Sequence, residues 1–179
     1  IDNSELSEPE SVFFSSANNQ KVHAFFYPPA NSHFRGHDDD LPLVIAICHG
    51  GPTGATQSSL NLKIQYWTNR GFAVVDINYR VSTGFGRHYR QVLVGAWGLA
   101  DVEDTQYAIR YLASLGQIDP ERCIIRGGSA GGYTVLSALT FTDTFKAGAS
   151  LYGIGDLETL AKDTHKFESR YLDSLIGPY

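Results

Sequence analysis

A serine flanked by glycines is the strongest candidate for chemistry in this sequence. The segment Gly-Gly-Ser-Ala-Gly-Gly places Gly127 and Gly131 around Ser129 in a G-x-S-x-G pattern. An apolar run that predicts a strand, Cys123–Arg126, precedes the pattern, and a run that predicts a helix, Tyr133–Leu139, follows it. A sharp turn from strand to helix presents the serine hydroxyl above the sheet edge, and flanking glycines remove side chains that would clash there. Ser129 is therefore predicted to be a nucleophile.

A second glycine-rich segment could assist such a serine. Residues 49–52, His-Gly-Gly-Pro, come directly after the apolar run Leu43–Cys48, which predicts a buried strand. His-Gly-Gly in this position offers backbone amides without obstructing side chains, and the Ala130 amide lies at the start of the predicted helix. Together these donors would form an oxyanion hole, in which each donor contributes about 2.7–4 kcal/mol of transition-state stabilisation.

Both glycine-rich segments also have a non-catalytic interpretation. Residues 49–52 would then form an ordinary tight turn, and residues 127–132 would be a turn in a phosphate-binding unit. The second alternative is disfavoured, because G-x-G-x-x-G does not fit residues 127–132 and no Gly-Lys-Ser/Thr occurs in the chain. The order of the two segments, each after a predicted strand, favours the catalytic interpretation.

The elements that must position these segments follow from hydrophobic patterning. Four apolar runs predict strands that are buried on both faces of a parallel sheet, at Leu43–Cys48, Phe72–Ile77, Cys123–Arg126 and Ala147–Tyr152. The clearest helical pattern begins with Asp101 as the predicted N-cap and ends at Gly116. Ser11–Ser15 and Val22–Tyr27 predict a hairpin. We therefore expect a mostly parallel, doubly wound α/β sheet with an N-terminal antiparallel hairpin.

The composition argues against several classes of function. A formal net charge of −5 disfavours nucleic-acid binding, and no apolar run reaches the roughly 18–20 residues that span a membrane. Cys48 and Cys123 lie in apolar runs and are predicted to be buried and reduced, so the cytoplasm is the expected location. His33 and His37 lie near the aspartates 38–40, but we expect a solvated loop there, with no metal and no cofactor.

Several separate motifs, in this order, give the sequence a resemblance to a known family. The chain resembles the catalytic domain of the prolyl oligopeptidase family, and most closely its acylaminoacyl-peptidase and dipeptidyl-peptidase-like branch. The resemblance extends over roughly residues 9–179. It is carried by His49–Pro52, Asn78–Arg87, Trp97-Gly98 with Asp101 and Asp104, Ile118–Pro120 and Gly127–Tyr133. One departure is Val81, where the family often has glycine, and we expect it to affect loop geometry more than chemistry.

The resemblance implies an α/β-hydrolase fold and a serine peptidase that acts on short peptides. By position, Ser129 corresponds to the nucleophile, and Gly51 and Ala130 correspond to the backbone donors of the oxyanion hole. Tyr133 and Tyr152 are candidates for the wall of the substrate pocket, and a plain core role is the alternative for both. The segment Asn78–Arg87 is expected to form a loop near the site, in which Ser82 and Thr83 form turns.

The triad partners of Ser129 are not evident in the chain. In this fold the acid and the histidine follow the serine, and Asp156 and His165 are the candidates by order. They are only nine positions apart, too close for a crossover that would return the histidine to the serine, so Asp156 is predicted to cap a helix instead. Residues 11–179 are therefore expected to be the N-terminal and central part of a catalytic domain truncated at its C-terminus.

Further expectations concern the parent protein. Residues 1–10 would connect to another domain, which the resemblance implies to be an upstream β-propeller. A molecule of only these 179 residues is expected to be inactive, because no imidazole would activate Ser129. A carboxylesterase of the same fold and a non-catalytic, hydrolase-like binding domain stay open as alternatives.

Overall fold

A computed structural model of the chain describes residues 3–34, 36–37, 39–163 and 171–177. The strands are β1 (Glu10–Ser15), β2 (Lys21–Tyr27), β3 (Val44–Cys48), β4 (Ala73–Asn78), β5 (Cys123–Gly128) and β6 (Ala147–Leu151). The helices are α1 (Leu62–Thr68), α2 (Arg87–Gln91), α3 (Ala100–Ser114), α4 (Ala130–Phe141), α5 (Leu157–Asp163) and α6 (Tyr171–Ile176). No helix in the described ranges is long and apolar enough to cross a membrane.

One six-stranded sheet organises these elements, with strand order β1-β2-β4-β3-β5-β6. The pairs β1–β2 and β2–β4 are antiparallel, whereas β4–β3, β3–β5 and β5–β6 are parallel. The predicted α/β fold and N-terminal hairpin are thus confirmed. The register pairs Cys48 with Gly127 and Gly127 with Ser150, so the carboxyl ends of β3, β5 and β6 lie side by side. Residues that follow these three strands are therefore neighbours.

Apolar residues cover both faces of the central strands. The larger cluster packs β-strand side chains such as Val75 and Ile125 against α3 and α4, and the smaller one packs Ile45 and Val74 against Ile64 of α1.

The prediction of two-sided burial is wrong for β6, where Ala147–Ala149 and Leu151 are exposed. The reason is position, since β6 is an edge strand of the described sheet and its apolar run does not encode that position.

The start of α3 also differs from its prediction. Leu99, not Asp101, occupies the N-cap position, and Asp101 lies inside the helix with no exposed surface. The Asp101 carboxylate still accepts a hydrogen bond from the Gly98 amide, at 2.7 Å, so it caps backbone from within the first turn. The predicted end is confirmed, because Gly116 has φ +67° and Gln117 N–H donates to Leu112 O at 3.1 Å.

A buried ion pair fixes the loop after β4 to α3. Arg80 Nε lies 2.9 and 3.0 Å from the two carboxylate oxygens of Asp104, and the Arg80 amide donates to the same carboxylate at 2.7 Å. Ser16 of the β1–β2 turn also donates to Asp104, at 2.5 Å. Every oxygen of this buried carboxylate is therefore hydrogen-bonded, the condition under which a buried pair holds its elements in one arrangement.

Candidate active site

Ser129 occupies the junction between β5 and α4. β5 ends at Gly128 and α4 begins at Ala130, so a single residue makes the turn from strand to helix. Ser129 has φ 54° and ψ −120°, a conformation that costs a non-glycine residue about 1–3 kcal/mol. Two backbone hydrogen bonds hold Ser129 in this conformation. The Ser129 amide donates to Leu151 O at 3.1 Å, and the Ser129 carbonyl accepts from the Tyr133 amide at 3.1 Å. The strand–serine–helix geometry expected from the sequence is present.

Two glycines make this turn sterically possible. A Cβ on Gly131 would overlap the Cys48 carbonyl oxygen and lie 2.7 Å from that of His49. A Cβ on Gly127 would overlap the carbonyl of Gly131 and lie 3.0 Å from the Cys48 oxygen. These neighbours are backbone atoms, so the end of β3 and the first turn of α4 approach each other only where side chains are missing.

The His-Gly-Gly-Pro segment lies directly against the serine turn. A Cβ on Gly50 would lie 3.3 Å from the Gly128 oxygen and 3.7 Å from Ser129 Cβ. Gly51 has φ +130°, a region that favours glycine. The segment is fastened from the next loop, since the Tyr79 hydroxyl donates to His49 O at 2.8 Å and the Thr83 amide donates to Gly54 O at 2.8 Å. Gly50 therefore lies against the serine turn, and the role of Gly51 and Ala130 as oxyanion donors stays a prediction.

His49 is the histidine adjacent to this turn, and its ring is engaged elsewhere. Its Nε2 lies 2.7 Å from Ser82 Oγ, its Nδ1 lies 2.8 Å from Gly50 O, and the ring stacks on Tyr79 at 4.3 Å between centroids. Burial lowers the pKa of His49. Among the described residues, no side chain is hydrogen-bonded to the Ser129 hydroxyl.

Ser82 forms a turn, as predicted, and also makes a contact that the sequence did not indicate. Its amide and hydroxyl donate to Tyr79 O at 2.9 and 2.7 Å, and its oxygen is the partner of His49.

Thr56 makes further contacts that the sequence did not indicate, because its amide donates to Asn78 Oδ1 at 2.8 Å and its hydroxyl donates to Asp76. Burial raises the pKa of Asp76 to about 6. These partners are 20 or more residues apart, so no local pattern could have revealed them.

The two candidate pocket tyrosines differ in exposure and in the residues that they contact. Tyr133 is half-buried, packs on Trp97 at 5.0 Å between ring centroids, and covers Gly98. Burial raises its pKa. Tyr152 is 84% exposed, which excludes the core interpretation for it within the described chain, and its hydroxyl lies where a Cβ on Gly128 would be 2.9 Å away. An open groove of about 470 Å³ extends from Tyr133 toward Asp156.

The remaining candidates from the sequence are Asp156, His165 and the pair His33 and His37. Asp156 caps α5, as predicted, by accepting from the Glu158 and Thr159 amides at 2.8 and 3.2 Å, and these bonds lower its pKa. His165 lies outside the described residues. Where residues are described, no group of three or more His, Cys, Asp or Glu side chains could hold a metal ion, and His33 and His37 form no such group.

Comparison with known proteins places this architecture in a family. A sequence profile described as the prolyl oligopeptidase family matches residues 58–178. The chain belongs to the prolyl oligopeptidase family. This confirms the resemblance that the motifs indicated, and the match includes both the loop after β4 and the Ser129 turn.

Relatives of this prolyl oligopeptidase family chain include peptidases of known structure and a dipeptidyl aminopeptidase. A puromycin-hydrolyzing peptidase of Mycobacterium tuberculosis is 45% identical, with a TM-score of 0.98 over 100% of this chain and 27% of its own. An acylaminoacyl peptidase of Pyrococcus horikoshii is 27% identical, with a TM-score of 0.84 over 96% of this chain and 27% of its own. Dipeptidyl aminopeptidase BIII of Pseudoxanthomonas mexicana is 33% identical over 77% of this chain and 20% of its own length. The chain thus spans 20–27% of the length of these relatives.

Proposed function

We propose that this chain is part of a serine peptidase that hydrolyses short peptides through an acyl-enzyme on Ser129. The substrate classes are those of an aminopeptidase, a dipeptidyl-peptidase or an acylaminoacyl-peptidase. The observation that carries the proposal is the strained Ser129 turn, packed through Gly127 and Gly131 against the His-Gly-Gly segment. Membership in the prolyl oligopeptidase family and similarity to peptidases support it.

The proposed mechanism is ordinary acyl transfer. Ser129 Oγ attacks the scissile carbonyl carbon while a histidine base, supplied from outside the described residues, takes the hydroxyl proton. The amides of Gly51 and Ala130 donate to the resulting oxyanion. Collapse breaks the C–N bond, the histidine gives its proton to the leaving amine, and water then hydrolyses the ester on Ser129. This route uses no metal and no cofactor.

Substrate contacts in this proposal come from the two tyrosines. Tyr152 presents an exposed phenol whose hydroxyl reaches back to Gly128, and Tyr133 is half-buried against Gly98. Tyr152 lies beside Gly128, and Tyr133 lies in the first turns of α4, so we propose that a peptide with its carbonyl at the oxyanion hole would contact both rings. A peptide is thus the proposed partner, and contact with nucleic acid or membrane forms no part of the function.

The organisation of the parent protein is also a proposal. We infer that residues 11–179 are the N-terminal and central part of a catalytic domain, that an upstream β-propeller precedes it, and that the protein is cytoplasmic. Coverage of only 20–27% of the relatives supports the larger size, and the buried free thiols Cys48 and Cys123 suit a reducing compartment. The connecting segment is anchored where it meets the domain, since the Ser7 amide donates to the buried Gln65 side chain at 2.8 Å.

A substrate panel tests the proposed activity. The full-length protein is assayed with aminoacyl-, dipeptidyl- and acylaminoacyl-anilides, with simple esters, and with puromycin, because one relative is described as hydrolysing it. We expect turnover of at least one anilide class, with loss of that turnover in Ser129→Ala. Ester turnover without anilide turnover would assign a carboxylesterase instead, and no turnover with intact folding would favour a non-catalytic binding domain.

A second expected result concerns a polypeptide of these 179 residues alone. We expect no stoichiometric burst of product from it, because the adjacent His49 ring is committed to Ser82 and Gly50 and leaves Ser129 without a base. The measurement is a burst assay with an activated ester, with the full-length protein as the positive control. A burst that disappears in Ser129→Ala would contradict the expectation and would show that the chain contains its own base.

A further inference from the structure

Asp101 is a buried carboxylate that the proposed mechanism does not use. It has no exposed surface, and its two oxygens accept from different elements: Oδ1 from the Gly98 amide at 2.7 Å and Oδ2 from the Thr134 hydroxyl at 2.5 Å. Gly98 belongs to the loop before α3, and Thr134 lies in α4, one turn after Ala130. A single side chain therefore joins that loop to the helix that begins at the reactive serine.

Both partners of Asp101 lead directly to the proposed site. The Thr134 hydroxyl also lies 3.3 Å from the carbonyl oxygen of Ala130, whose amide is a proposed oxyanion donor. Gly98 has φ +84° and supports the Tyr133 ring, since a Cβ on Gly98 would lie 2.9 Å from the Tyr133 hydroxyl. Movement of the Asp101 carboxylate would thus be felt at the oxyanion hole and at the pocket wall.

The electrostatic surroundings of Asp101 are unusual for a buried acid. Its helix neighbour Asp104 is paired with Arg80, whereas within the described ranges no cationic side chain forms a salt bridge with Asp101. Burial, opposed by the hydrogen bonds from Thr134 and Gly98 and assisted by the charge of Asp104, raises the pKa of Asp101 to about 6. Among the described residues, the other titratable groups whose pKa its charge raises are the Cys48 thiol of β3 and the Tyr133 phenol of α4.

We propose that Asp101 is a positioning residue for the reaction at Ser129, acting through Thr134 on the first turn of α4 and through Gly98 on the Tyr133 ring. The inference rests on the function proposed above. The ionised carboxylate accepts from both donors at once. A protonated carboxyl is a weaker acceptor, and the Thr134 hydroxyl then turns to its second acceptor, the Ala130 carbonyl. The arrangement is therefore tightest when Asp101 is ionised.

The test compares variants of the full-length protein by kcat, KM and the pH dependence of kcat. Thr134→Val removes the hydroxyl at nearly constant volume, and Thr134→Ser retains it. Thr142→Val is the matched control, because the Thr142 hydroxyl at the other end of α4 bonds only the carbonyl of Ala138. Asp101→Asn keeps an acceptor for Gly98 but cannot ionise. A fluorophosphonate that labels reactive serines reports separately whether Ser129 is competent.

We expect Thr134→Val to lower kcat by about 10- to 100-fold with little change in KM, since small displacements of reacting groups have effects of this size. Its acid limb should move to higher pH, because the carboxylate loses a donor that stabilises its charge. Thr134→Ser and Thr142→Val should keep both the rate and the acid limb. A lower kcat with an unmoved acid limb would reduce Thr134 to a packing role and overturn the proposal, as would unchanged kinetics.

The Asp101→Asn variant and the wild-type protein provide two further tests. If Thr134→Val does not fold, Asp101→Asn decides: because its uncharged amide resembles the protonated carboxyl, we expect kcat near neutral pH to fall and the acid limb to lose one ionisation, and an unchanged kcat with an unchanged limb would overturn the proposal. If the wild-type protein neither turns over substrates nor reacts with the fluorophosphonate, the proposed function itself fails and the positioning role fails with it. If the wild-type protein is labelled and active, and Thr134→Val has the same kcat and the same acid limb, then the Asp101 inference fails while the proposed function stands.

Discussion

Replacing Ser129 with alanine is expected to lower kcat of the full-length protein by about 10⁴- to 10⁶-fold, the range seen when a serine nucleophile is removed. The variant keeps the proposed oxyanion donors, Gly51 and Ala130, so substrate binding and KM should change little. Without the hydroxyl there is no acyl-enzyme, and labelling by a fluorophosphonate should disappear. Both quantities are measured with the anilide that the wild-type protein hydrolyses fastest.

The control for this variant separates chemistry from folding. Alanine meets the same backbone restriction as serine at φ 54°, and the Ser129 hydroxyl has no hydrogen-bond partner among the described residues, so the melting temperature should be unchanged. Ser114→Ala removes an exposed helical serine whose hydroxyl bonds only Tyr111 O, and it should retain full activity. Residual turnover of Ser129→Ala within about ten-fold of wild type would reject Ser129 as the nucleophile.

Features that depend on contacts between residues close in sequence could be predicted from the sequence alone. The two glycines around Ser129 and the apolar run before it predict a strand, a sharp turn and a helix, and the chain folds in that way because backbone contacts within a few residues decide it. The parallel strands β3, β4 and β5 were predictable for a similar reason, since a strand covered on both faces reads as a continuous apolar run without polar alternation.

Features that depend on distant partners were not predictable. Asp101 has the residue type and sequence context that predict an N-cap, yet it lies buried inside α3, where Thr134, 33 residues later, supplies a partner from α4. The contact between His49 and Ser82 spans the same sequence distance. Exposure of β6 could not be inferred either, because an edge strand and a central strand can share one apolar pattern. Pairing between elements, not propensity, decides each case.

Val81 shows how such tertiary contacts support strain near the site. It has φ +116°, which is unfavourable for a β-branched side chain, and it is 1% exposed. Its neighbours hold it there: Arg80 is fixed by Asp104, and Ser82 by His49 and Tyr79. The expectation that Val81 mainly affects loop geometry stays a prediction, and its burial in the core offers a compensating hydrophobic contribution.

Among glycine-to-alanine substitutions in this chain, Gly131→Ala is expected to cause the largest loss of stability. At an exposed helical position this change would stabilise α4 by about 0.5–1 kcal/mol, because alanine favours helix over glycine. Here the new Cβ would overlap the Cys48 carbonyl oxygen and lie 2.7 Å from that of His49. Since neither backbone atom can rotate away, we expect a loss of stability of more than about 4 kcal/mol, the range of severe steric defects, or no folded protein. Urea titration of the full-length protein measures the change.

Gly155→Ala is the matched control for that prediction, because a Cβ at Gly155 meets no atom within 4 Å and its φ is not positive. It should change stability by less than about 0.5 kcal/mol, which shows that loss of glycine as such is harmless. If Gly131→Ala folds at reduced stability, its fluorophosphonate labelling should still be slower than that of Gly155→Ala, because the methyl group separates α4 from β3, which carry the proposed oxyanion donors Ala130 and Gly51. A Gly131→Ala protein as stable and as reactive as wild type would mean that β3 and α4 tolerate a wider spacing. The close approach of these two backbones would then not be what creates the site.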